Sequence, residues 1–390
     1  MHKKKEERMR DVKVAIVCDP LVSGCNLDRY VQNIVEAFPN SEIFTAYSDE
    51  EYLEKLVEGK SVHTTFMQKL PKRKALEELY YILQPFAYRR LKFDDYHIVI
   101  SISKGFGKCI NSKNLKHITV CIEPPTFLWE NRRKKYGEMN EMKKFLLNIY
   151  SYIFNSFLRK KWQEIDIKAM KACTSVLANS EIGRKKILKH YGTNSVVIYP
   201  PVDVRSLNSF KKVNRKENWF LYLGSIEKGV GLDFVIKASV KSEQPLKVVG
   251  LGDDMDGMVD LVRKLNAKGY IKFLGKVSDI EKHDLLTRAK ALIFSMKDSH
   301  FSVIPIEANA SGTPVIAYKK SAAFETISTD NPKTGIFFEK YSVTELAKIL
   351  KNFKSERYNP DNCKKQADNF ASEIFVYKLQ NYVKDVLQNI

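Results

Sequence analysis

Short apolar runs alternate with amphipathic helical patterns along nearly the whole chain of 390 residues. The apolar runs include residues 12–18, 97–102, 118–122, 175–178, 219–223, 246–249, 271–274, 291–294 and 314–317. Strand-sized apolar runs separated by helices are typical of parallel sheets that carry helices on both faces. The sequence therefore predicts an α/β fold, and at roughly 150 residues per domain its length indicates two domains.

A pair of prolines interrupts this alternation near the middle of the chain. Pro200 and Pro201 precede a polar, basic stretch over residues 206–216. Two prolines continue neither a helix nor a central strand, so this region is expected to connect the two domains. In open α/β sheets, ligands bind at the carboxyl ends of the strands. The pattern therefore predicts two doubly wound domains with a ligand-binding cleft between them.

The charge balance of the chain points to an anionic partner. Lysine and arginine total 65 against 46 acidic residues, a formal net charge of +19. This excess favours a phosphate-bearing ligand, a membrane surface or a nucleic acid.

The six cysteines form no C-x2-C pair, which indicates reduced thiols in a cytoplasmic protein and no zinc site. We expect no signal peptide and no membrane span, because the longest apolar stretch, residues 145–158, is short and interrupted by polar residues. The acidic run 253–256 fits a helix start better than a metal site.

Two strand-to-glycine junctions lie in the second half of the chain. In one, Gly224 and Ser225 follow an apolar run and Lys228 comes three residues later. In the other, Gly250 and Gly252 follow the run over residues 246–249. Glycine lets a backbone approach a phosphate closely, and a nearby lysine neutralises phosphate charge. Such turns also simply connect a strand to a helix, so both interpretations stay open at this point.

The segment over residues 291–317 carries the most chemical information. Its pattern predicts a strand, a loop, a helix, a glycine stop and a second strand. The helix start near Val303 and Ile304 offers unpaired backbone N–H groups, which favour an anion. Glu307 lies one turn inside this helix among apolar residues. A buried carboxylate needs a partner, and the hydroxyls of a ribose are one such partner.

This segment also resembles a known family. Residues 307–317 are similar to the E-A-x-A-x-G-x-P-V-I-A signature of glycosyltransferase family 4, whose members are retaining enzymes of the GT-B fold. Further similarity extends over nearly the whole chain, at Asp28-Arg29, at Pro124 with Phe127-Leu128-Trp129-Glu130, at Ala178-Asn179-Ser180, at Tyr199-Pro200-Pro201-Val202-Asp203, and at residues 273–278 and 334–338. The resemblance implies two Rossmann-like domains that face each other across a cleft. It implies an acceptor-side domain over residues 1–205, a nucleotide-sugar domain over residues 206–372, and a final helix over residues 373–390 that returns to the first domain.

The resemblance implies transfer of a hexose from a nucleotide sugar, without a metal or other cofactor. The donor site would include Glu307, the two glycine junctions with Lys228, and the positions Lys276, Val277, Phe301, Ser302, Val303 and Ile304. The acceptor side would include Gly24, Cys25, Asn26 and Glu123. Cations aimed at the leaving diphosphate would stabilise the charge that develops there.

Several positions depart from the family pattern where charge is handled. Ser299 occupies the place of the first glutamate of the Glu-x7-Glu pair that ends at Glu307, and Ser302 replaces a glycine. Ser225 and Val230 stand where the family carries its phosphate-binding arginine and lysine. In the first domain, Ile122 and Glu123 replace a histidine and a threonine, and Cys25-Asn26 replaces paired glycines. The sequence therefore predicts a degenerate catalytic site on an intact fold.

Basic and aromatic residues interleave over residues 132–162. This pattern suits a helix at an anionic membrane surface, and it equally suits core-facing helices with solvated basic faces. No nucleic-acid-binding motif accompanies the charge, so nucleic acid is a poorer account. Three hypotheses follow: a cytoplasmic, peripheral-membrane hexosyltransferase that acts on a glycan or lipid-linked acceptor; an inactive relative that serves as a binding or partner subunit; and a basic module that binds membranes or nucleic acid without sugar chemistry.

Overall fold

The computed structural model describes residues 12–22, 27–71, 80–113, 115–130, 158–208, 216–297 and 301–388. The chain forms two compact units, one built from residues up to Pro201 together with those from Glu373 onward, the other from Val202 to Ser372. The predicted connection over residues 206–216 lies largely outside the described residues. No helix within the described ranges has the length and apolar character needed to cross a membrane.

The first unit is built on a parallel sheet of seven strands in the order β3-β2-β1-β4-β5-β6-β7. These strands are β1 (Val14–Cys18), β2 (Ser41–Thr45), β3 (Val62–Thr64), β4 (Ile98–Ser103), β5 (Lys116–Cys121), β6 (Ser175–Ala178) and β7 (Val196–Val197). Every residue of β1 and β4 is buried, because helices cover both faces of the sheet. Continuous apolar runs in the sequence are the local cause of these central strands.

The described helices of the first unit connect these strands. They are α1 (Asp28–Ala37), α2 (Glu50–Leu56), α3 (Gln84–Tyr88), α4 (Thr126–Trp129), α5 (Arg159–Ala172) and α6 (Glu181–Tyr191). Helix α6 shows how local sequence sets its ends. The Ser180 hydroxyl accepts a hydrogen bond from the Gly183 N–H at 2.9 Å, and Gly192 ends the helix with φ of 63°.

The second unit contains a parallel sheet of six strands in the order β10-β9-β8-β11-β12-β13. These strands are β8 (Phe220–Leu223), β9 (Leu246–Val249), β10 (Ile271–Gly275), β11 (Leu292–Phe294), β12 (Val315–Tyr318) and β13 (Gly335–Phe338). The helices are α7 (Val204–Asn208), α8 (Leu232–Ser242), α9 (Met255–Lys264), α10 (Asp279–Arg288), α11 (Ile304–Ala310), α12 (Val343–Asn352) and α13 (Pro360–Asp368). The prediction of two doubly wound parallel sheets is confirmed.

The last helix, α14 (Ser372–Gln388), packs in the core of the first unit. Phe375, Leu379 and Val383 recur every four residues and are buried there, so they form one apolar face. The ring of Phe375 meets that of Tyr30 on α1 edge to face, with centroids 5.7 Å apart. Ser175 at the start of β6 also hydrogen-bonds Tyr382.

Candidate functional site

The strand order of the second sheet creates a switch point between β8 and β11. The chain leaves β8 towards β9 and β10, then returns to the other side of β8 to form β11. The loops that follow β8 and β11 therefore meet at the carboxyl edge, where open α/β sheets bind ligands. The Ser295 hydroxyl donates to the Gly231 carbonyl at 3.3 Å, and the Tyr341 hydroxyl donates to the Ser295 carbonyl at 3.0 Å. The first contact joins the two loops, and the second adds Tyr341 from the segment after β13.

The glycines predicted at this edge are required by backbone packing. The Gly224 N–H donates to the Val249 carbonyl at 3.1 Å, and the Ile226 N–H donates to the Leu251 carbonyl at 2.9 Å. A Cβ at Gly250 would lie 1.8 Å from the Gly224 oxygen, and one at Gly252 would lie 2.2 Å from the Ile226 oxygen. The close approach of two loops thus explains glycine at these positions without any ligand.

The predicted phosphate-binding positions Ser225 and Lys228 lie in the same loop. The Ser225 carbonyl accepts a hydrogen bond from the Tyr222 hydroxyl at 3.1 Å. The Lys228 side chain is 75% exposed, and its ammonium lies 4.0 Å from a carboxylate oxygen of Asp254. The lysine charge is therefore partly offset by an acidic residue of the neighbouring loop.

Residues 301–304 lead into helix α11, and all four are half-buried. The Ser302 hydroxyl accepts a long hydrogen bond of 3.4 Å from the Ile304 N–H. The Glu307 N–H donates to the Val303 carbonyl at 2.8 Å, which closes the first turn of the helix. Ser302 thus engages one N–H group at the start of the helix. Ser299 lies outside the described residues.

Glu307 is the buried carboxylate at this edge, with 5% of the residue exposed. One of its oxygens lies 3.6 Å from the ammonium of Lys282 on α10. That ammonium also lies 2.9 Å from the carboxylate of Asp279. The negative charge of Glu307 therefore has a cationic partner from another helix, which the sequence analysis did not identify.

The end of α11 beyond Glu307 is fixed by buried polar contacts. The Ser311 hydroxyl and Nδ1 of His283 are 3.1 Å apart, and Nδ2 of Asn309 donates to the Thr313 and Thr334 carbonyls at 3.0 and 3.2 Å. Burial lowers the pKa of His283, which keeps the imidazole neutral beside these hydroxyls. These contacts hold α11, and hence Glu307, in one position.

Lys276 and Val277 follow the end of β10. Lys276 is exposed, and Val277 is half-buried against the apolar cluster beneath the sheet. The next residue, Ser278, caps α10: its hydroxyl accepts from the Glu281 N–H at 3.2 Å, and the Glu281 carboxylate accepts from the Ser278 N–H at 2.9 Å. This capping box fixes the start of α10, on which Lys282 lies.

The acceptor-side positions in the first unit are described only in part. Ile122 packs in the apolar core of the sheet, and its N–H donates to the Ser103 carbonyl at 3.1 Å. Its side chain carries no hydrogen-bonding group. Glu123 is half-buried just beyond β5. Gly24, Cys25 and Asn26 lie outside the described residues.

Sequence reasoning missed a loop at the switch point of the first sheet, between β1 and β4. Asp19, directly after β1, accepts hydrogen bonds from the backbone N–H groups of Lys104, Gly105 and Gly107 at 2.6–2.9 Å and from the Ser103 hydroxyl at 3.1 Å. One carboxylate thus holds the loop after β4. The alternating glycines at 105 and 107, which a side chain would push against Asp19, were the available signal.

A buried ion pair anchors the far end of this loop. The Lys108 ammonium lies 2.6 Å from the Asp166 carboxylate on α5 and donates to the Gly105 carbonyl at 2.6 Å. The other Asp166 oxygen accepts from Nε1 of Trp129 at 2.9 Å and from the Tyr191 hydroxyl at 2.7 Å.

Within the described part of the chain, no group of three or more metal-ligating side chains is suited to hold a metal ion.

Comparison with known proteins finds a family model that matches most of the second unit. The sequence profile described as "Glycosyl transferases group 1" matches residues 203–370. The O-antigen chain mannosyltransferase RfbU of Salmonella typhimurium is 27% identical over 234 residues, which are 57% of this chain and 66% of the relative. Matches to two further curated relatives span 46% and 58% of their lengths, so each of these relatives is matched over less than two thirds of its length.

Solved structures match nearly the whole chain. The lipopolysaccharide outer core galactosyltransferase WaaB in its apo form has a TM-score of 0.68 at 15% identity and covers 96% of this chain and 99% of its own. The Anabaena protein HepE in complex with UDP has a TM-score of 0.67 at 13% identity and covers 96% and 100%. At these identities the likeness shows the fold, which is GT-B. Residues 203–370 thus match the model of the glycosyl transferases group 1 family, and the chain has the GT-B fold.

Proposed function

We propose that this protein is a glycosyltransferase that moves a hexose from a nucleotide sugar to a glycan or lipid-linked acceptor. The observation that carries the proposal is Glu307, a buried carboxylate in the first turn of α11 at the carboxyl edge of the second sheet. The relatives support the reaction class, since their names describe a mannosyltransferase and a galactosyltransferase, and one related structure contains UDP.

Glu307 would bind the nucleotide through its ribose. A carboxylate accepts hydrogen bonds from two adjacent hydroxyls, and burial strengthens such bonds because water competes poorly. The developing charge on the diphosphate must be stabilised by donors or cations already in place. Lys228 lies on the loop after β8 at this edge. The absence of a resident metal or cofactor remains a prediction.

The test is nucleotide binding by the variant Glu307→Gln, measured by calorimetry with UDP, GDP and their hexose conjugates. The change keeps the shape of the side chain and removes its charge. Charge-assisted hydrogen bonds contribute roughly 1.5–3 kcal/mol each, so the affinity should fall about tenfold or more. Glu356→Gln, an exposed carboxylate of the same unit, serves as the matched control and should bind like the unmodified protein.

Two outcomes would contradict the proposal. If the unmodified protein binds neither nucleotides nor nucleotide sugars, the donor site is wrong. If it binds a nucleotide sugar but neither hydrolyses it nor transfers the sugar to any acceptor in a broad panel, the inactive partner subunit is the better account.

We further infer that a lipid-linked acceptor would bring the chain to an anionic membrane surface. The basic and aromatic stretch behind this inference lies mostly outside the described residues. Trp162, at the end of this stretch, is 6% exposed and packs in an apolar cluster of the first unit, whereas Lys160 and Lys161 beside it are exposed. Salt-sensitive sedimentation with anionic vesicles, and none with neutral ones, is expected, because salt screens surface charge over about 10 Å at 0.1 M. Equal sedimentation with anionic and neutral vesicles would refute this inference. A cytoplasmic location of the protein remains a prediction.

A further inference from the structure

Lys282 is a cation between two carboxylates of very different exposure. Its ammonium is 2.9 Å from Asp279, whose side chain is 96% exposed, and 3.6 Å from Glu307, whose side chain is 6% exposed. The lysine side chain itself is 20% exposed. Exposed pairs contribute little because water and salt screen them, whereas a buried carboxylate depends strongly on its partner. The contact to Glu307 is therefore the consequential one.

The position of Lys282 relative to Glu307 is set by the packing of α10 on α11. His283, the next residue of α10, lies 3.1 Å from Ser311, which is the C-cap of α11 and comes four residues after Glu307. The Thr287 hydroxyl, one turn further along α10, donates to the His283 carbonyl at 2.9 Å. Lys282 and His283, two successive residues of α10, thus contact Glu307 and the C-cap of α11, which fixes the register between the helices.

We propose that Lys282 is a positioning residue for the nucleotide ribose. Its ammonium lies 3.6 Å from one oxygen of the Glu307 carboxylate, offsets the negative charge of that buried side chain, and orients it to accept from ribose hydroxyls. This role rests on the proposed function, in which Glu307 binds the ribose. It predicts that discrimination between a ribose and a sugar without hydroxyls depends on Lys282, although Lys282 does not touch the ribose.

The test compares each nucleotide with its 2′,3′-dideoxy analogue. UDP or GDP, whichever the unmodified protein binds more tightly, is titrated by calorimetry alongside its dideoxy form. The dissociation constant of the dideoxy form divided by that of the nucleotide measures the contribution of the ribose hydroxyls. In Lys282→Met, which keeps an unbranched side chain and removes the charge, this ratio should fall about tenfold. The dideoxy analogue should bind almost unchanged. Lys282→Arg keeps the charge and should keep the ratio.

Two further variants separate positioning from general effects. Lys268→Met removes an exposed lysine from the same unit and should leave the ratio unchanged, which controls for net charge. Asp279→Asn removes the competing, exposed carboxylate without disturbing the core, so the ratio should be at least as large as in the unmodified protein. Asp279→Asn also keeps the proposal testable if Lys282→Met does not fold.

The outcomes separate this role from the proposed function. An unchanged ratio in Lys282→Met, or an equal loss of affinity for both nucleotides, would overturn the role of Lys282 while leaving nucleotide binding at Glu307 intact. A reduced ratio in Asp279→Asn would also overturn it. Absence of nucleotide binding by the unmodified protein would refute the proposed function and this role together.

Discussion

Replacement of Lys108 by methionine should leave the Asp166 carboxylate buried without its cationic partner in the core of the first unit. The side chains of Lys108 and Asp166 are 1% and 0% exposed, and their charged atoms are 2.6 Å apart. Removing one partner of such a pair typically costs about 3–5 kcal/mol, because the remaining charge is left buried without compensation. Trp129 and Tyr191 still donate to Asp166, so we expect a loss near the lower end, about 3 kcal/mol.

The pKa of Lys108 fixes the pH range in which this loss is seen. Burial alone would lower the pKa of Lys108, but the Asp166 carboxylate more than offsets burial and raises it above its ordinary value. A lysine whose folded pKa is raised contributes its full stability below the unfolded pKa of about 10.4 and loses it only as the pH rises beyond that value. The difference between the two proteins should therefore be constant between pH 7 and 9.

Urea denaturation followed by tryptophan fluorescence measures this loss, since Trp129 contacts Asp166 directly. The double variant Lys108→Met/Asp166→Asn, which removes both charges, should recover at least half of the lost stability. Lys92→Met, an exposed lysine of the same unit, should change the free energy of unfolding by less than about 0.5 kcal/mol. A loss below about 1 kcal/mol in Lys108→Met would refute the reasoning, because it would mean that leaving Asp166 without Lys108 costs little.

Two further predictions concern pH and backbone packing. Burial, with a contribution from Lys108, lowers the pKa of His117 to about 3. Between the unfolded pKa of about 6.5 and the folded pKa, only the unfolded chain binds a proton at His117, so lowering the pH from 7 to 5 should cost about 2 kcal/mol of stability. Denaturation of His117→Gln at pH 7 and pH 5 should show a pH dependence that is weaker by this amount. An equal pH dependence in the two proteins would contradict the prediction. Gly252→Ala should lower the free energy of unfolding by about 2 kcal/mol or more, because the added Cβ would collide with the Ile226 carbonyl. Gly269→Ala should change the free energy of unfolding little, because no atom lies within 4 Å of the added Cβ. Equal effects of the two substitutions in thermal denaturation would refute this prediction.

The two sheets were predictable because their strands are coded locally. The residues of β4 are all buried, as are Leu246, Val248 and Val249 of β9, and no distant residue is needed to recognise either apolar run. Glu307 was predictable for the same reason, since a carboxylate inside an apolar helical segment is unusual wherever that segment packs.

The pairings that complete the sites were not predictable from sequence, because they join distant residues. Lys282 and Glu307 are 25 positions apart, and Lys108 and Asp166 are 58 apart, so neither pair forms a local pattern. A lysine on an amphipathic helix is usually solvated, and only the packing of α10 on α11 distinguishes Lys282 from the exposed lysines around it. Tertiary packing supplies that information.

The glycine junctions show the opposite problem, in which a local pattern suggests more than it determines. Gly250 and Gly252 suggested a phosphate loop, yet the loop over Gly224 to Ile226 fills the space that their missing side chains leave. In the first unit, the glycines at 105 and 107 likewise make room for Asp19, a carboxylate of the chain itself. A glycine pair therefore indicates a close approach, and the structure is needed to say what approaches.

The same distinction bears on the apparent loss of charged residues from the donor site. The resemblance in sequence implies that Ser225 and Val230 stand at positions where the family carries cations, and this implication favoured an inactive relative. The effect of a cation depends on its distance from the ligand and on the local dielectric, and it does not depend on the loop that supplies it. Lys282 lies within 4 Å of Glu307 although it comes from α10. The absence of cations at two motif positions is therefore insufficient to infer an uncharged site, and the ratio of ribose to dideoxyribose affinities is the measurement that decides whether Lys282 contributes there.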